Sequence, residues 1–158
     1  MIDHNKTFGA VCDCLGCENN SPAWPDKFGA AVKKWLEDSH IPKIRTLSLF
    51  SGAGGLDIGF SDVGFSIIGA VEIEAKFCDT LALNTGAGRR FDHSRVRCMD
   101  VRALSGGEFG AIDFIIGGPP CQTFSAAGRR ANGVAGTTDA RGRLFREYIR
   151  LLKELSPW

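Results

Sequence analysis

The segment Arg45–Gly55, which reads RTLSLFSGAGG, determines the fold that we predict for this chain. Its first half is short and apolar, as in a buried strand, and its second half is a glycine-rich turn. Residues 56–63 then have helical character, so strand, turn and helix follow one another directly. Glycines permit the tight turn and let a ligand approach the backbone, while a helix start offers unpaired N–H groups. This order predicts a ligand site at the carboxyl end of the first strand.

The same alternation continues along the chain. After the first strand, Arg45–Phe50, we predict strands at Phe65–Val71, Val96–Met99 and Asp113–Ile116, and helices at Glu74–Leu83 and from about Gly142 to Leu155. Short buried strands that alternate with helices are typical of a parallel sheet with helices on both faces. The predicted fold class is therefore α/β and Rossmann-like. Because Ser156-Pro157-Trp158 stands where a further strand would be expected, we expect the sheet to be incomplete.

Residues 1–42 differ from the rest in composition, and we predict that they form an N-terminal extension to a domain spanning 43–158. They carry three prolines, one helical pattern around Lys27–Ser39, and the cluster Cys12, Cys14 and Cys17. Zinc binding by this cluster with His4 or His40 is one interpretation, and unrelated thiols are the other, since the second pair of a zinc ribbon is absent. We assign no metal site.

Length and composition narrow the class of protein. At 158 residues, with 44% hydrophobic and 23% charged residues and a net charge of +1, the sequence indicates one soluble globular domain. The chain is not strongly basic overall. This does not exclude nucleic-acid binding, because a local stripe of basic residues can bind phosphates while the net charge stays near zero. No apolar run reaches the length of about 20 residues that a bilayer requires, and no signal peptide is recognisable, so we expect no membrane association and a cytoplasmic location.

Two acidic residues follow predicted strands. Glu72 ends the second strand, where a carboxylate can accept hydrogen bonds from ribose hydroxyls, and Asp100 ends the third, where it can bind an adenine amino group. The dinucleotide fingerprint G-x-G-x-x-G would require glycine at position 57, which is Asp57. The pattern therefore favours an adenosine-containing ligand without a pyrophosphate clamp over NAD, although carboxylates at strand ends can also simply face solvent.

The fourth predicted strand runs into Pro119-Pro120-Cys121-Gln122-Thr123-Phe124-Ser125. Two prolines restrict the backbone in front of the thiol. A cysteine at the carboxyl end of a parallel strand, beside a predicted cofactor site, is a candidate nucleophile. From position alone, a buried structural cysteine is an equally good interpretation.

Five segments, taken in order, resemble the first five motifs of the DNA cytosine 5-methyltransferases. They read TLSLFSGAGGLDIGF, VEIEAKFCDTLALN, MDV, DFIIGGPPCQTFSAAGRR and DARGRLFREYIRLL, and they span about Arg45 to Leu155. The resemblance implies the Rossmann-like fold of S-adenosylmethionine-dependent methyltransferases. It also implies double-stranded DNA as the partner and, for a bacterial-type member, a restriction-modification system.

The resemblance assigns roles position by position. For the cofactor S-adenosylmethionine it implies Phe50, Gly52, Gly54 and Gly55 as the loop, Glu72 at the ribose, Ile73, Asp100 and Val101 around the adenine, and Leu144 in the pocket wall. Pro120 and Cys121 match the catalytic pair. Gln122 and Ser125 would lie in the loop that closes on DNA, and Arg141 would face backbone phosphates. The neighbouring Arg129, Arg130, Arg143 and Arg146 could also grip phosphates or be solvated surface charge.

The implied mechanism is methyl transfer to carbon 5 of a flipped cytosine through a covalent adduct with Cys121. Family members continue into a Glu-Asn-Val segment and a target-recognition domain, which this sequence does not contain. We therefore predict that the polypeptide alone is inactive. A subunit that needs a second chain, a truncated remnant, and a non-catalytic module that binds S-adenosylmethionine or DNA are the alternative interpretations.

Overall fold

The computed structural model describes the backbone of residues 24–119 and 140–157, with side chains from 27 and from 143 onward in the two ranges. The elements follow in the order α1 (Trp24–Asp38), β1 (Arg45–Leu49), α2 (Gly55–Asp62), β2 (Ser66–Glu72), α3 (Ala75–Leu83), β3 (Arg95–Cys98), β4 (Phe114–Gly117) and α4 (Ala140–Leu155). Two short 3-10 helices, Val101–Ala103 and Gly106–Phe109, lie between β3 and β4 and were not predicted. None of the described helices has the length and apolar character needed to cross a membrane.

The four described strands form one parallel sheet in the order β3-β2-β1-β4. Strand β1 lies in the interior of the sheet, and four of its five residues, Thr46–Leu49, are buried. Its last residue, Leu49, pairs with Val71 of β2 and Gly117 of β4. The predicted α/β class with a parallel sheet is confirmed, and each predicted strand differs from the observed one by a single residue at its ends.

Apolar side chains cover both faces of the sheet. On one face Leu47, Leu49 and Val71 pack with Leu151 of α4, which is fully buried. On the other face Ile67 and Ala70 pack with Leu81 of α3. Burial of side chains of this size stabilises a fold by roughly 1.5–3 kcal/mol each before entropy is counted. The two layers of helices expected from the sequence are therefore present.

A bulge in β2 sets which side chains reach each face. Thr46 pairs with Ile67 but Leu47 pairs with Gly69, so Ile68 is an extra residue in β2. As a result Ile67 packs on one face of the sheet, and Ile68 packs with Val71 on the other. If the same residues alternated regularly, with no bulge, Ile67 and Val71 would lie on the same face because they are four residues apart.

Arg150 joins α4 to the segment after β3. Its guanidinium donates to Glu147 and Glu154 at 2.7 Å each, and to the carbonyl oxygens of Val101 at 3.2 Å and Leu104 at 3.0 Å. Glu154 in turn accepts from the Gly106 N–H at 3.0 Å. A guanidinium carries five N–H donors in a fixed plane. Arg150 can therefore bind two carboxylates of its own helix and two carbonyl groups of the segment after β3 at the same time.

Gly69 offers a test of this packing, because a Cβ atom there would lie 2.4 Å from the ring of buried Phe109. We expect Gly69→Ala to lower the free energy of unfolding by about 1–3 kcal/mol, since the ring must move in a packed core. Gly59→Ala is the matched control, because a Cβ there meets nothing within 4 Å and the position lies inside α2. It should raise stability by up to about 1 kcal/mol. Urea unfolding of both variants measures the difference, and equal effects would contradict the packing described.

Candidate functional site

The loop between β1 and α2 leaves the sheet in a left-handed backbone conformation. Phe50 has a φ of 56°, Gly52 of 55° and Gly54 of 89°. A Cβ atom on Gly52 or Gly55 would meet nothing within 4 Å, whereas one on Gly54 would lie 3.0 Å from the Leu81 side chain. Gly54 therefore packs against the protein, and the two other glycines leave one side of the loop open to a ligand.

Buried serines hold this loop to the sheet. The Ser51 hydroxyl donates to the Ser48 hydroxyl at 2.9 Å, and the Ser51 N–H donates to the Val71 carbonyl at 3.2 Å. Neither serine was predicted from the sequence to be part of the site. Ser48 could have been noticed in the sequence as a polar residue within an apolar strand, because a buried hydroxyl requires a hydrogen-bond partner.

The carboxylate of Glu72 connects the loop to the start of α3. One oxygen accepts the Gly52 N–H at 2.8 Å, and the other accepts the N–H groups of Ile73 at 2.8 Å and Glu74 at 3.0 Å. The side chain is buried, with 9% of its surface exposed. A carboxylate has about four acceptor positions, so these three bonds leave about one for a ligand hydroxyl.

Asp100 begins the first 3-10 helix and is bound by Arg102. The Arg102 side chain donates to both carboxylate oxygens, and the Arg102 N–H donates to one of them at 2.9 Å. The Arg102 guanidinium first, and its N–H second, hold the pKa of Asp100 down at about 2. A ligand amino group at Asp100 would therefore share this carboxylate with an arginine that the sequence analysis did not consider.

The apolar residues of the predicted pocket come together in the structure. Phe50 and Leu144, both half-buried, pack against one core cluster that contains Val101, which is 5% exposed. They come from the β1 loop, from α4 and from the first 3-10 helix, so three separated segments meet here. Ile73 follows β2 and is 61% exposed, which leaves its side chain free to pack against a flat ligand.

The predicted catalytic and DNA-contacting residues lie outside the described part of the structure. Pro120, Cys121, Gln122 and Ser125 fall between residues 119 and 140, and Arg141 is described only as backbone within α4. The structure does describe β4, which leads to them. Because β4 is parallel to β1 and Gly117 pairs with Leu49, residues 118–119 leave the sheet at the same edge as the glycine loop.

A buried carboxylate lies next to the loop. Asp57, in the first turn of α2, is 0% exposed, and neither of its oxygens has a hydrogen-bond partner among the described residues. Burial raises the pKa of Asp57, and the nearby Ser48 hydroxyl opposes that shift. The residue that breaks the dinucleotide fingerprint is therefore an interior residue beside the loop. No group of three or more metal-ligating side chains occurs in the described ranges.

Comparison with known proteins identifies the family. The model of the C-5 cytosine-specific DNA methylases matches residues 44–158. The chain belongs to the C-5 cytosine-specific DNA methylase family. The methyl donor of this family is S-adenosylmethionine, in agreement with the predicted cofactor.

Individual relatives of the chain support the assignment to this family. The Type II methyltransferase M.FnuDI of Fusobacterium nucleatum is 44% identical over 114 residues, which are 72% of this chain and 30% of that protein. The Type II methyltransferase M.AquIA of Picosynechococcus is 41% identical over 115 residues, or 72% of this chain and 45% of that protein. A solved structure from E. coli, provisionally described as a prophage-encoded DNA modification methyltransferase, is 34% identical with a TM-score of 0.56, covering 73% of this chain and 30% of its own. The chain thus spans less than half the length of these relatives.

The described residues of the chain fit an adenosine-containing cofactor. The open sides of Gly52 and Gly55, the remaining acceptor capacity of Glu72 and the exposed face of Ile73 lie at the carboxyl ends of the strands. Ligands of parallel α/β sheets bind at this edge.

Asp57→Asn tests whether the buried carboxylate is unpaired. The folded pKa is raised above the ordinary value of 3.8, so the ionised group lowers stability increasingly as pH rises from about 3.8 through its folded pKa. Asn carries no charge, and we expect the variant to gain at least about 1 kcal/mol at neutral pH, with the gain fading in acid. Denaturant unfolding between pH 4 and 8 measures this. Asp79→Asn, at an exposed position of α3, should show no such trend. A neutral-pH loss of stability in Asp57→Asn would mean that the carboxylate has a partner elsewhere in the chain.

Proposed function

We propose that this chain supplies the cofactor site and the nucleophile of a DNA cytosine 5-methyltransferase that modifies double-stranded DNA. The observation that carries the proposal is the Glu72 carboxylate, which accepts the N–H of Gly52 in the glycine loop and the N–H groups of Ile73 and Glu74 just before α3, at one edge of the sheet. It is supported by membership of the DNA methylase family and by relatives that are Type II methyltransferases. Those relatives favour a role in a restriction-modification system.

The cofactor would bind across the carboxyl ends of β1, β2 and β3. Gly52, Gly54 and Gly55 would form the loop beneath its amino-acid portion, and Glu72 would accept a ribose hydroxyl. Ile73, Asp100 and Val101 would surround the adenine, with Phe50 and Leu144 as the pocket wall. When bound, S-adenosylmethionine supplies the electrophilic methyl group.

Cys121 would act on the base. Carbon 5 of cytosine is a poor nucleophile, so thiolate addition at carbon 6 is required to place electron density on carbon 5, which then takes up the methyl group. Loss of the carbon 5 proton and elimination of the thiol restore the aromatic ring. Pro120 would restrict the direction in which the thiol points. Because the base is unreachable within the stack, it must first be flipped out of the duplex.

The DNA-contacting residues would come from the same segment and from the start of α4. Gln122 and Ser125 would close on the flipped nucleotide, and Arg141 would contact the phosphate backbone, where a guanidinium binds well. Arg143 and Arg146, further along α4, are exposed and remain candidates for phosphate contacts or for solvated charge.

The 158-residue polypeptide contains no Glu-Asn-Val segment, the element that would hydrogen-bond the cytosine ring. We propose that the polypeptide binds the cofactor but requires further sequence, in the same or a second chain, for turnover.

Calorimetry with the purified polypeptide tests the cofactor site. We expect S-adenosylmethionine to bind and NAD to fail, and we expect Glu72→Gln to weaken S-adenosylmethionine at least tenfold, or about 1.4 kcal/mol. The reason is that the variant loses an acceptor at the ribose position and places an amide NH₂ against backbone N–H donors. Glu74→Gln is the matched control, because Glu74 is exposed. Circular dichroism verifies that both variants fold. If the two variants bound S-adenosylmethionine with equal affinity, Glu72 would not be a cofactor-binding residue.

Transfer of labelled methyl groups to cytosine-containing DNA tests the reaction. The polypeptide alone should transfer none, and measurable turnover would refute that part of the proposal. When it is co-expressed with the coding sequence downstream of codon 158, methylated cytosine should appear in host DNA. Cys121→Ser should reduce it about a thousandfold or more, because no other residue forms the adduct. Cys98→Ser serves as the thiol control. Methylation that persists in Cys121→Ser would exclude Cys121 as the nucleophile, and the absence of any methylation would favour the non-catalytic alternative.

A further inference from the structure

Two cysteines with no role in the proposed reaction converge behind Glu72. Cys78 lies in α3, and its Sγ donates to the Glu72 carbonyl oxygen at 3.4 Å. Cys98 ends β3, pairs with Glu72 in the sheet, and its Sγ lies 4.0 Å from the carbonyl oxygen of Ile73. The two thiols thus lie beside the carbonyl groups of two consecutive residues, Glu72 and Ile73.

The two thiols differ in their access to solvent. Cys78 is buried, with 5% of its surface exposed, while Cys98 is exposed. Burial, together with the Cys98 thiol and the nearby Glu72 charge, raises the pKa of Cys78 to about 12. A reagent from solvent therefore meets Cys98 first, and Cys78 is placed to react only with a group that is already attached to Cys98. An exposed cysteine with an adjacent second thiol is the arrangement of a redox-sensitive pair.

We propose that Cys78 and Cys98 are a dithiol that small-molecule disulfides oxidise to an intramolecular disulfide. The Cys98 thiol loses its proton, and its thiolate attacks one sulfur of the reagent, breaking the reagent's S–S bond and releasing one small thiol. Deprotonated Cys78 then attacks Cys98 Sγ, forming the protein S–S bond and releasing the second small thiol. Two protein thiols are oxidised, one reagent disulfide is reduced to two thiols, and the two protons end on those thiols.

The cross-link would join the start of α3 to the end of β3 around the residues Glu72 and Ile73. These residues belong to the edge of the sheet described above, but the oxidation chemistry depends only on the two thiols. Oxidation of the two thiols is therefore independent of methyl transfer. In a reducing compartment such a bond would be transient, as redox-sensing disulfides are.

Peptide mapping tests the proposal on the whole polypeptide. The folded chain is incubated with oxidised glutathione, quenched in acid, alkylated at its remaining thiols and digested with trypsin. We expect a disulfide-linked pair of the peptides 77–89 (FCDTLALNTGAGR) and 98–102 (CMDVR), and its complete loss after treatment with dithiothreitol. Recovery of both cysteines in alkylated form, at reagent levels that modify the other cysteines of the chain, would overturn the proposal.

Three variants control the interpretation. Cys78→Ser should retain glutathione on Cys98 as a stable mixed disulfide, and Cys98→Ser should leave Cys78 reduced. Because the remaining cysteines could compete, a variant with Ser at positions 12, 14, 17 and 121 should still form the 78–98 bond. Circular dichroism before oxidation establishes that each variant is folded. Pairing of Cys98 with any other cysteine in place of Cys78 would contradict the assigned pair.

Discussion

The carboxylate of Glu72 is the interaction on which the arrangement of this site depends. Its oxygens accept N–H groups from the glycine loop after β1 and from the first residues around α3, so a single buried side chain fixes two loops relative to each other. A charged acceptor makes stronger hydrogen bonds than a neutral one, and the burial of this group makes those bonds necessary. The Gly52 N–H is bound to this carboxylate, while a Cβ atom on Gly52 would meet nothing within 4 Å.

The interior position of β1 in the sheet also determines which segments lie next to the Glu72 carboxylate. With β2 on one side and β4 on the other, the loop after β1 shares an edge with the residues that follow both neighbours. Three buried polar residues, Ser48, Ser51 and Asp57, lie in or next to this loop. The Ser51 hydroxyl donates to the Ser48 hydroxyl, whereas the carboxylate oxygens of Asp57 are buried without a hydrogen-bond partner among the described residues. A buried charge of this kind lowers stability, and proteins accept such costs most often beside functional sites.

Much of the fold was predictable because the local signals agree with one another. Short apolar runs, glycine turns and helical periodicity gave each strand to within one residue, since local pattern and final burial coincide in a parallel sheet. The predicted pocket residues Phe50, Val101 and Leu144 do meet in one cluster. Hydrophobic periodicity could not have predicted that these three residues lie close together. The order of the motifs could, because members of one family share a tertiary arrangement.

The sequence by itself determined the α/β class, the order of the elements and the family, since these follow from local periodicity and from motifs that are continuous in the chain. Tertiary structure alone decided how the polar groups are used. The bulge at Ile68, the binding of Asp100 by Arg102, the three amides on Glu72 and the convergence of Cys78 with Cys98 are set by strand register and by hydrogen-bond geometry. Register and geometry depend on which groups compete for each donor in the folded protein, and that competition has no counterpart in the spacing of residues along the chain.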